Sequence, residues 1–307
     1  MIEDRHLQLT PEVQAALDRN LPIVALESSL IAHGLPYPEN LETARRLEGI
    51  VGEHKAMPAT IAVIGGRVKV GLSGEDLKKL AEGKGIRKVS RRDLPIVVAK
   101  GLDGATTVAA TMYIASLAGI RVLATGGIGG VHRGAGHSLD ISADLPELAR
   151  TRVAVVCAGP KAIVDLGLTC EWLETHGVPI LGCSTEELPA FYSRSSGLSV
   201  DCRVDGPGEA AQIIHAKWGL GLEGGILIAV PVPAEAEVPR DVVEKAIAEA
   251  LTAAERRGIG GKALTPFLLA QLNKLTSGAS LRANTALLQN NAAVAAEIAK
   301  ALHGLID

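Results

Sequence analysis

Lys161 is the residue in this chain best suited to covalent chemistry. It follows an almost wholly apolar run, Val153-Ala-Val-Val-Cys-Ala-Gly-Pro, which is typical of a buried strand. A lysine at the end of such a strand can lose part of the hydration of its charged form, and the neutral amine forms imines with sugar or keto carbonyls. The alternative is a lysine whose ammonium simply extends from the strand end into water.

Glu27 is the second candidate, because it ends another apolar run and is followed by two serines. Ligands of α/β sheets bind beyond the carboxyl ends of the strands. We therefore expect Glu27 and Lys161 at the same edge of one sheet, as an acid beside a nucleophile. The alternative is an exposed acid without a ligand.

The glycine-rich stretch Thr125-Gly-Gly-Ile-Gly-Gly-Val-His-Arg-Gly follows a predicted strand. It is not a dinucleotide fingerprint, because His132 stands where the third glycine is required, and no Gly-Lys-Ser/Thr completes a P-loop. Two interpretations stay open. The loop backbone approaches a ligand, with His132 and Arg133 available to an anion, or it is a turn without a ligand.

A second candidate anion site is Gly104-Ala-Thr-Thr-Val-Ala-Ala-Thr, which we expect to open a helix over 106–118 after a strand at 95–99. Thr106 or Thr107 would cap this helix, and its free amides suit a phosphate. The segment Lys88-Val-Ser-Arg-Arg places three cations in five positions. These form either a solvated surface cluster or a clamp on a phosphate.

Asp140, Ser142 and Asp144 alternate along the chain, so in an extended segment they would point one way and offer oxygen ligands to a hard divalent cation. Asp144 has an alternative role as a helix N-cap, with Glu147 at the third helical position. Asn284 lies on the predicted buried face of a helix, where its amide needs a partner, either neighbouring backbone or a ligand.

The elements that position these residues alternate along the chain. Strands are predicted at 22–26, 60–64, 95–99, 121–125, 153–157, 179–182 and 225–230. Helices are predicted at 41–53, 106–118, 145–151, 162–175, 207–219 and 240–257, with a long alanine-rich helix at 280–303. The expected fold is α/β, a layered α/β/α arrangement with a largely parallel or mixed central sheet and a helical C-terminal section, in a single domain over 1–307.

Composition excludes several classes of function. The net charge of −3 and the 2% aromatic content argue against a nucleic-acid partner, which needs a basic field or stacking platforms. None of the four cysteines forms a Cys-x-x-Cys pair, and Cys157 is expected in the core. The N-terminus has no signal-peptide pattern, and the uncharged run 104–120 is interpreted as a buried helix. We expect a cytoplasmic protein without a membrane partner.

Taken together, these segments resemble the pseudouridine-5′-phosphate glycosidases, also called pseudouridylate synthases. The matching pieces occur in order from about residue 20 to residue 300. They are Ala25-Leu-Glu-Ser-Ser-Leu-Ile-Ala-His-Gly, Lys88-Val-Ser-Arg-Arg-Asp-Leu, Gly104-Ala-Thr-Thr-Val, Ala124-Thr-Gly-Gly-Ile-Gly-Gly-Val-His-Arg-Gly, Asp140-Ile-Ser-Ala-Asp-Leu, Cys157-Ala-Gly-Pro-Lys, Thr265-Pro-Phe-Leu-Leu and Ser280-Leu-Arg-Ala-Asn. Ordered matches of this length are more specific than any short motif.

The resemblance implies reversible cleavage of pseudouridine 5′-phosphate to uracil and ribose 5-phosphate. It implies that Glu27 protonates the ribose ring oxygen, that Lys161 bonds C1′ as an imine, and that Asp140 holds a divalent cation, typically Mn²⁺. It also implies a homotrimer. Substrate-contacting positions of the family match Lys88, Val108, Ser142, Ala143 and Asp144, and pocket positions match Thr125, His132 and Asn284, beside the capping threonines Thr106 and Thr107.

One departure from the family pattern is Pro160, which stands directly before Lys161, where a small residue is expected, and which restricts Gly159. Two alternatives to the glycosidase stay open from the sequence. The first is a lysine-imine enzyme that acts on another C-ribosyl or sugar phosphate. The second is a module that binds a sugar phosphate without catalysis.

Overall fold

The computed structural model of the chain describes residues 7–259 and 264–305, apart from the side chain of His137. The strands are β1 (Leu7–Leu9), β2 (Ile23–Leu26), β3 (Met57–Ile64), β4 (Arg67–Val70), β5 (Arg87–Val89), β6 (Gly104–Thr106), β7 (Val122–Ala124), β8 (Val131–His132), β9 (Ala154–Cys157), β10 (Val164–Asp165), β11 (Ile180–Cys183), β12 (Cys202–Val204) and β13 (Ile226–Ala229).

The helices are α1 (Pro11–Asp18), α2 (Ser29–His33), α3 (Glu39–Glu53), α4 (Gly74–Glu82), α5 (Leu94–Ala99), α6 (Val108–Leu117), α7 (Ala135–Ser138), α8 (Asp144–Leu148), α9 (Leu166–Thr175), α10 (Pro207–Gly219), α11 (Arg240–Arg256), α12 (Leu264–Leu275) and α13 (Ala279–His303). Short 3₁₀ helices cover Arg91–Asp93 and Ala234–Ala236.

The central sheet is mixed but largely parallel. Its parallel part runs in the order β3-β2-β7-β9-β13-β11-β12, and β4 and β6 pair antiparallel with β3. Within the described residues, β8 and β10 form a separate antiparallel pair. The carboxyl ends of β2, β7 and β9 are therefore neighbours, which brings together the segments that follow these three strands.

Helices cover both faces of the sheet, because alternate residues of each apolar strand enter different cores. On β2, Val24 and Leu26 join the core formed with α3, α10, α11, α12 and α13. Ile23 and Ala25 join the opposite core, formed with α1, α6, α8 and α9. This arrangement confirms the predicted α/β/α layering, and the all-helical section past residue 239 packs on one face through α13.

The strand predicted at 95–99 is wrong, because this run forms α5. A short apolar run does not by itself distinguish a strand from a buried helix. Here Pro95 lies in the first turn, where a missing N–H costs nothing, and the 3₁₀ turn Arg91–Asp93 leads directly into the helix. Only Leu94 and Val97 of this helix are buried.

The largest differences in helix bounds occur at three predicted helices. The helix predicted at 106–118 begins at Val108, because β6 extends to Thr106. The helix predicted at 162–175 begins at Leu166, after β10, where the Asp165 side chain accepts from the Leu168 amide at 3.0 Å. The helix predicted at 145–151 is α8, which ends at Leu148.

Several elements have no counterpart in the sequence prediction, notably β1, β4, β5, β12, α1 and α4. Helix α4 carried a readable signal, because Ser73 and Asp76 form a capping box and Gly83 ends the helix in the left-handed region. The four cysteines are free, and Cys157 is fully buried, as predicted. Among the described residues, no helix has the length and apolar character that a membrane crossing requires.

Candidate active site

A cleft of about 580 Å³ lies at the carboxyl edge of β2, β7 and β9. The sequence-predicted residues that line it are Glu27, Lys88, Thr107, Val108, His132, Asp140, Ser142, Ala143, Asp144 and Lys161. These residues come from segments that are distant in sequence. Sheet pairing and the packing of α6 and α8 bring them together.

Glu27 is held by two hydroxyl groups in the floor of the cleft. Its side chain is buried, its Oε1 accepts from Thr125 Oγ1, and its Oε2 accepts from Ser29 Oγ at 2.5 Å. Thr125 directly follows β7, the parallel neighbour of β2, so its hydroxyl reaches Glu27 rather than lining the cleft itself. Ser29 was not singled out in the sequence, although its position two residues after the acid was a readable signal.

Lys161 lies across the cleft from this acid and is partly buried. Beyond β9, the chain continues to pair with the glycine-rich loop. The Ile128 amide donates to the Gly159 carbonyl at 3.2 Å, and the Lys161 amide donates to the Ile128 carbonyl at 2.9 Å. Neither bond needs an N–H from Pro160, which explains why a proline is tolerated before the lysine. In the described part of the chain, the Lys161 ammonium has no hydrogen bond or ion pair.

The φ of Gly159 is +82°, and a Cβ at this position would lie 2.6 Å from the carbonyl oxygen of Pro189. Only glycine fits this conformation and this close approach. The turn that aims Lys161 into the cleft therefore depends on Gly159 more than on the proline that follows it.

The glycine-rich loop packs against protein and also lines the cleft through Gly129. A Cβ at Gly129 would lie 2.2 Å from Ser142 Oγ, so the absent side chain makes room for the segment Asp140–Asp144. The structure separates His132 and Arg133, the two residues that the sequence made available to an anion. His132 lines the cleft, whereas Arg133 pairs with Glu244 at 2.9 Å.

His132 is a neutral acceptor beside the lysine. Burial lowers its pKa, and the charges of Lys161 and Lys88 lower it further, while Asp140 opposes the shift. A ring with a lowered pKa is uncharged at pH 7, so it adds no positive charge beside Lys161 and keeps one unprotonated nitrogen as a hydrogen-bond acceptor.

The outer end of the cleft is cationic. Lys88, Arg91, Arg92 and Arg150 line it, and Arg150 was not foreseen from the sequence. Two of these arginines are oriented by Glu147, whose fully buried carboxylate accepts from Arg91 at 2.8 Å and 3.1 Å and from Arg150 at 2.8 Å. Such a charge-assisted network fixes cations where an anionic group of a ligand would sit.

The N-terminus of α6 faces this cationic end. Thr107 is its N-cap residue but makes no capping bond, and its Oγ1 is buried without a partner among the described residues, as is Ser90 Oγ. Both residues line the cleft. Unpartnered hydroxyls beside a helix N-terminus and several cations suit the oxygens of a phosphate.

Thr106 is not part of the cleft, which corrects its place among the predicted ligand residues. Its hydroxyl donates to the Ile61 carbonyl at 2.6 Å, and its amide donates to Ser28 Oγ at 2.8 Å. The alternation of β6 turns this side chain into the core, so Thr107 alone reaches the cleft.

Asp144 caps a helix, but not its own. Ala143 is the N-cap of α8, whereas the Asp144 carboxylate accepts from the Ala109 amide of α6 at 2.9 Å and from the Gly129 amide at 2.8 Å. The alternative role of Asp144 as the N-cap of its own helix, with Glu147 at the third position, is therefore wrong. Asp144 ties the glycine-rich loop to the N-terminus of α6 and so fixes two walls of the cleft.

Asp140 lies in the cleft near His132, whose backbone amide donates to the Asp140 carbonyl at 3.0 Å. Within residues 7–259 and 264–305, no group of three His, Cys, Asp or Glu side chains is placed to hold a metal ion. A cation at Asp140 would take most of its ligands from water and substrate oxygens. This donor set fits Mg²⁺ or Mn²⁺ and does not fit a closed zinc site.

A small chamber adjoins the cleft behind Glu27 and Lys161. Asn284 lines it, together with Gly126, Phe191 and Leu288. The fully buried amide of α13 is instead Asn291, which donates to the Thr125 carbonyl at 2.8 Å. Of the two partners left open for Asn284, the backbone partner is thus taken by Asn291 two turns further along, and Asn284 lines the chamber.

The chain was compared with known proteins. The family model described as "Indigoidine synthase A like protein" matches residues 12–301. A protein of Caldanaerobacter subterraneus subsp. tengcongensis named pseudouridine-5′-phosphate glycosidase is 60% identical over 302 residues, which is 98% of each chain. A protein of Deinococcus radiodurans with the same name is 57% identical over 96% of this chain and 94% of its own.

The chain belongs to the pseudouridine-5′-phosphate glycosidase family.

Solved structures of similar chains have the same fold. The prealnumycin C-glycosynthase AlnA, in complex with ribulose 5-phosphate, has a TM-score of 0.92 and 41% identity over 99% of both chains. An indigoidine synthase A-like protein from Thermotoga maritima has a TM-score of 0.89 and 37% identity over 97% of both chains. The glycosidase family therefore shares its α/β/α fold with a C-glycosynthase, and this chain has that fold over almost its whole length.

Proposed function

We propose that this chain catalyses reversible cleavage of the carbon–carbon glycosidic bond of pseudouridine 5′-phosphate, giving uracil and ribose 5-phosphate in pseudouridine catabolism. Two kinds of observation support the proposal. Relatives at 55–60% identity carry the name of this activity. The observation that carries it is the placement of Lys161 and Glu27 in one cleft, beside a cluster of cations.

The chemistry follows from the bond to be broken. The base leaves through a carbon atom, so protonating a glycosidic heteroatom does not release it, and the two-carboxylate scheme of ordinary glycosidases does not apply. Ring opening breaks the bond between C1′ and the ring oxygen, which takes a proton from Glu27. The Lys161 amine bonds C1′, and its nitrogen electrons expel C5 of uracil, which takes a proton. Water then hydrolyses the iminium and releases ribose 5-phosphate.

The surroundings of the two residues support these roles. Thr125 and Ser29 hold both oxygens of Glu27, so the acid has a fixed direction toward the cleft. The charge of Lys161 lowers the pKa of His132, so the neutral ring lies near the amine without adding positive charge to its surroundings. Fixed positions of Glu27 and Lys161 relative to the substrate lower the entropic cost of reaching the transition state.

The 5′-phosphate belongs at the cationic end of the cleft. We assign it to Lys88, the Val108 amide and the hydroxyl of Thr107, with Arg91 and Arg150 nearby. Ser142, Ala143 and Asp144 line the wall between this end and Lys161, where they contact the ribose. Asn284 is placed to meet the base in the adjoining chamber.

Three further parts of the proposal rest on the family resemblance. Asp140 would hold Mn²⁺ or a similar divalent cation, which supplies positive charge beside phosphate or sugar oxygens when bound. The chain would form a homotrimer. The cytoplasmic location and the single domain over 1–307 also stay predictions.

The test is borohydride reduction of the protein with ribose 5-phosphate, followed by peptide mapping. We expect a pentose-phosphate mass increment on Lys161, its loss in Lys161→Arg, and its retention in Lys100→Arg, a control at an exposed lysine. An increment on another lysine would overturn the assignment. Absence of turnover in both directions with Mn²⁺ present would overturn the activity.

A second candidate is a lysine-imine enzyme that joins ribose 5-phosphate to a different carbon nucleophile. The 41% identity to a C-glycosynthase supports it. The two candidates differ in the acceptor, because only the glycosidase forms an ultraviolet-absorbing C-nucleotide from uracil and ribose 5-phosphate. Adduct formation on Lys161 without any product from uracil would favour the second candidate.

A further inference from the structure

His33, which lines the chamber beside Lys161, has a buried polar atom that the proposed reaction has not yet used. His33, the last residue of α2, lines this chamber together with Asn284 and Leu288. Its Nε2 is buried and has no hydrogen-bond partner among the described residues. Buried polar atoms are almost always partnered, so an orphan next to a reaction site suggests a ligand atom.

The other ring nitrogen is occupied, which sets the chemical character of the free one. The ring hydrogen-bonds the backbone of Arg87 in β5, and since Nε2 has no partner, this bond uses Nδ1–H as donor to the carbonyl. Burial and the charge of Lys88 both lower the pKa of His33, so the ring is neutral at pH 7. Nε2 is therefore a lone-pair acceptor that requires an N–H or O–H donor.

The walls of the chamber limit what that donor can be. Leu30, Phe191 and Leu288 are apolar, whereas the amide of Asn284 offers a donor and an acceptor. The chamber measures about 50 Å³ and shares Glu27 and Lys161 with the cleft. A chamber of this size has room for one edge of a flat ring, and the rest of the ring would lie in the cleft. The arginines that suit the phosphate, Arg91, Arg92 and Arg150, line the cleft and not the chamber, whereas Lys88 lines both.

We infer that His33 Nε2 accepts a hydrogen bond from a ring N–H of the nucleobase, so that His33 is a specificity-determining residue. This inference rests on the proposed function. A pyrimidinedione carries two ring N–H groups, each one atom removed from C5, the carbon bonded to C1′. Either N–H can point into the chamber while C5 stays near Lys161.

A site built to accept a hydrogen bond rejects analogues that lack the donor, because its own acceptor is then left unpaired. The competing explanation is a water molecule on Nε2, which a buried polar site of this size can hold. The two differ in one respect. If the base N–H bonds Nε2 directly, the preference for uracil over an N-methylated uracil depends on His33. If a water molecule occupies Nε2, that preference does not depend on His33.

The experiment follows synthesis from uracil and ribose 5-phosphate with wild type, His33→Leu, His33→Gln and His215→Leu. Leucine removes the acceptor, glutamine keeps one, and His215 is an exposed control on α10. The KM for uracil is measured, together with kcat/KM for 1-methyluracil and 3-methyluracil. Borohydride trapping of ribose 5-phosphate on Lys161 is measured in parallel.

We expect His33→Leu to raise the KM for uracil roughly 10-fold, the cost of one unpaired buried group, with His33→Gln intermediate. Wild type should have a much lower kcat/KM for one of the two N-methyluracils than for uracil. His33→Leu should reduce this ratio of kcat/KM values about 10-fold, while the amount of borohydride-trapped adduct on Lys161 changes less than about twofold. Unchanged discrimination in His33→Leu would overturn the inference, as would an equal loss of trapping. Wild type without turnover would remove the proposed function and this inference with it.

Discussion

Glu147 gives the sharpest test of how the cleft is built. Its carboxylate is fully buried, yet it lies outside the reacting centre and accepts hydrogen bonds from Arg91, Arg150 and Thr151 Oγ1. The change Glu147→Gln keeps the shape of the side chain and removes its charge. Thr151→Val is the matched control, because it removes one neutral donor and leaves both arginines paired.

The magnitude follows from exposure. Removing one partner of a fully buried ion pair costs about 3–5 kcal/mol. Here the side chains of Arg91 and Arg150 are 38% and 51% exposed. Water can therefore replace part of the hydrogen bonding that the arginines lose when the carboxylate of Glu147 is removed. We therefore expect Glu147→Gln to cost about 2 kcal/mol of unfolding free energy. Thr151→Val should cost about 1 kcal/mol, the value of an ordinary hydrogen bond.

The activity should change in a specific way. Freed arginines leave the outer end of the cleft, so Glu147→Gln should raise the KM for ribose 5-phosphate roughly 10-fold, or about 1.4 kcal/mol, with kcat nearly unchanged. Thr151→Val should leave this KM within about twofold. Urea denaturation measures the stability, and initial rates of synthesis measure the KM. An equal rise of KM in both variants, or none in Glu147→Gln, would refute a positioning role for Glu147.

Gly129→Ala should lower kcat/KM at least 10-fold, because its Cβ would meet Ser142 Oγ at 2.2 Å, whereas Gly136→Ala, with no atom nearby, should match wild type in the same rate assay. Burial raises the pKa of Glu48, so its contribution to stability falls as pH rises above 4.5, and Glu48→Gln should gain stability over wild type at pH 7 but not at pH 4 in urea titrations. The pKa of His132 is lowered, so the protein should lose stability as pH falls below 6.5, and His132→Gln should lose less.

The sequence predicted that Glu27 and Lys161 share one cleft because both residues follow strand ends. Runs of apolar residues located β2 and β9, and the parallel rule placed whatever follows them at one edge. Glu27 and Lys161 therefore line the same cleft for a reason visible in the chain itself. The run 95–99 was misassigned since its length and apolar character suit either a strand or a buried helix.

The supports of the cleft could not be predicted in this way. Asp144 accepts from an amide 35 residues earlier in the chain, and Glu147 pairs with an arginine 56 residues earlier. No periodicity links such positions, because tertiary packing of α6 against α8 creates the contacts. Local rules assigned Asp144 and Glu147 to a capping box, which is the more common use of these residues at that spacing.

The cleft has two ends with different supports, and this difference has a kinetic consequence. Glu27 and Lys161 follow strands whose residues are fully or almost fully buried, so their geometry is fixed by the sheet. The outer cations depend on side-chain pairs such as Arg91 with Glu147, where the arginine is partly in water. Under the proposed function, a rigid end at Glu27 and Lys161 would favour bond making at C1′, whereas adaptable cations would accept a phosphate without holding the product too tightly. Changes at the two ends should therefore separate into effects on kcat and effects on KM, and a change at the outer end that mainly lowers kcat would contradict this division.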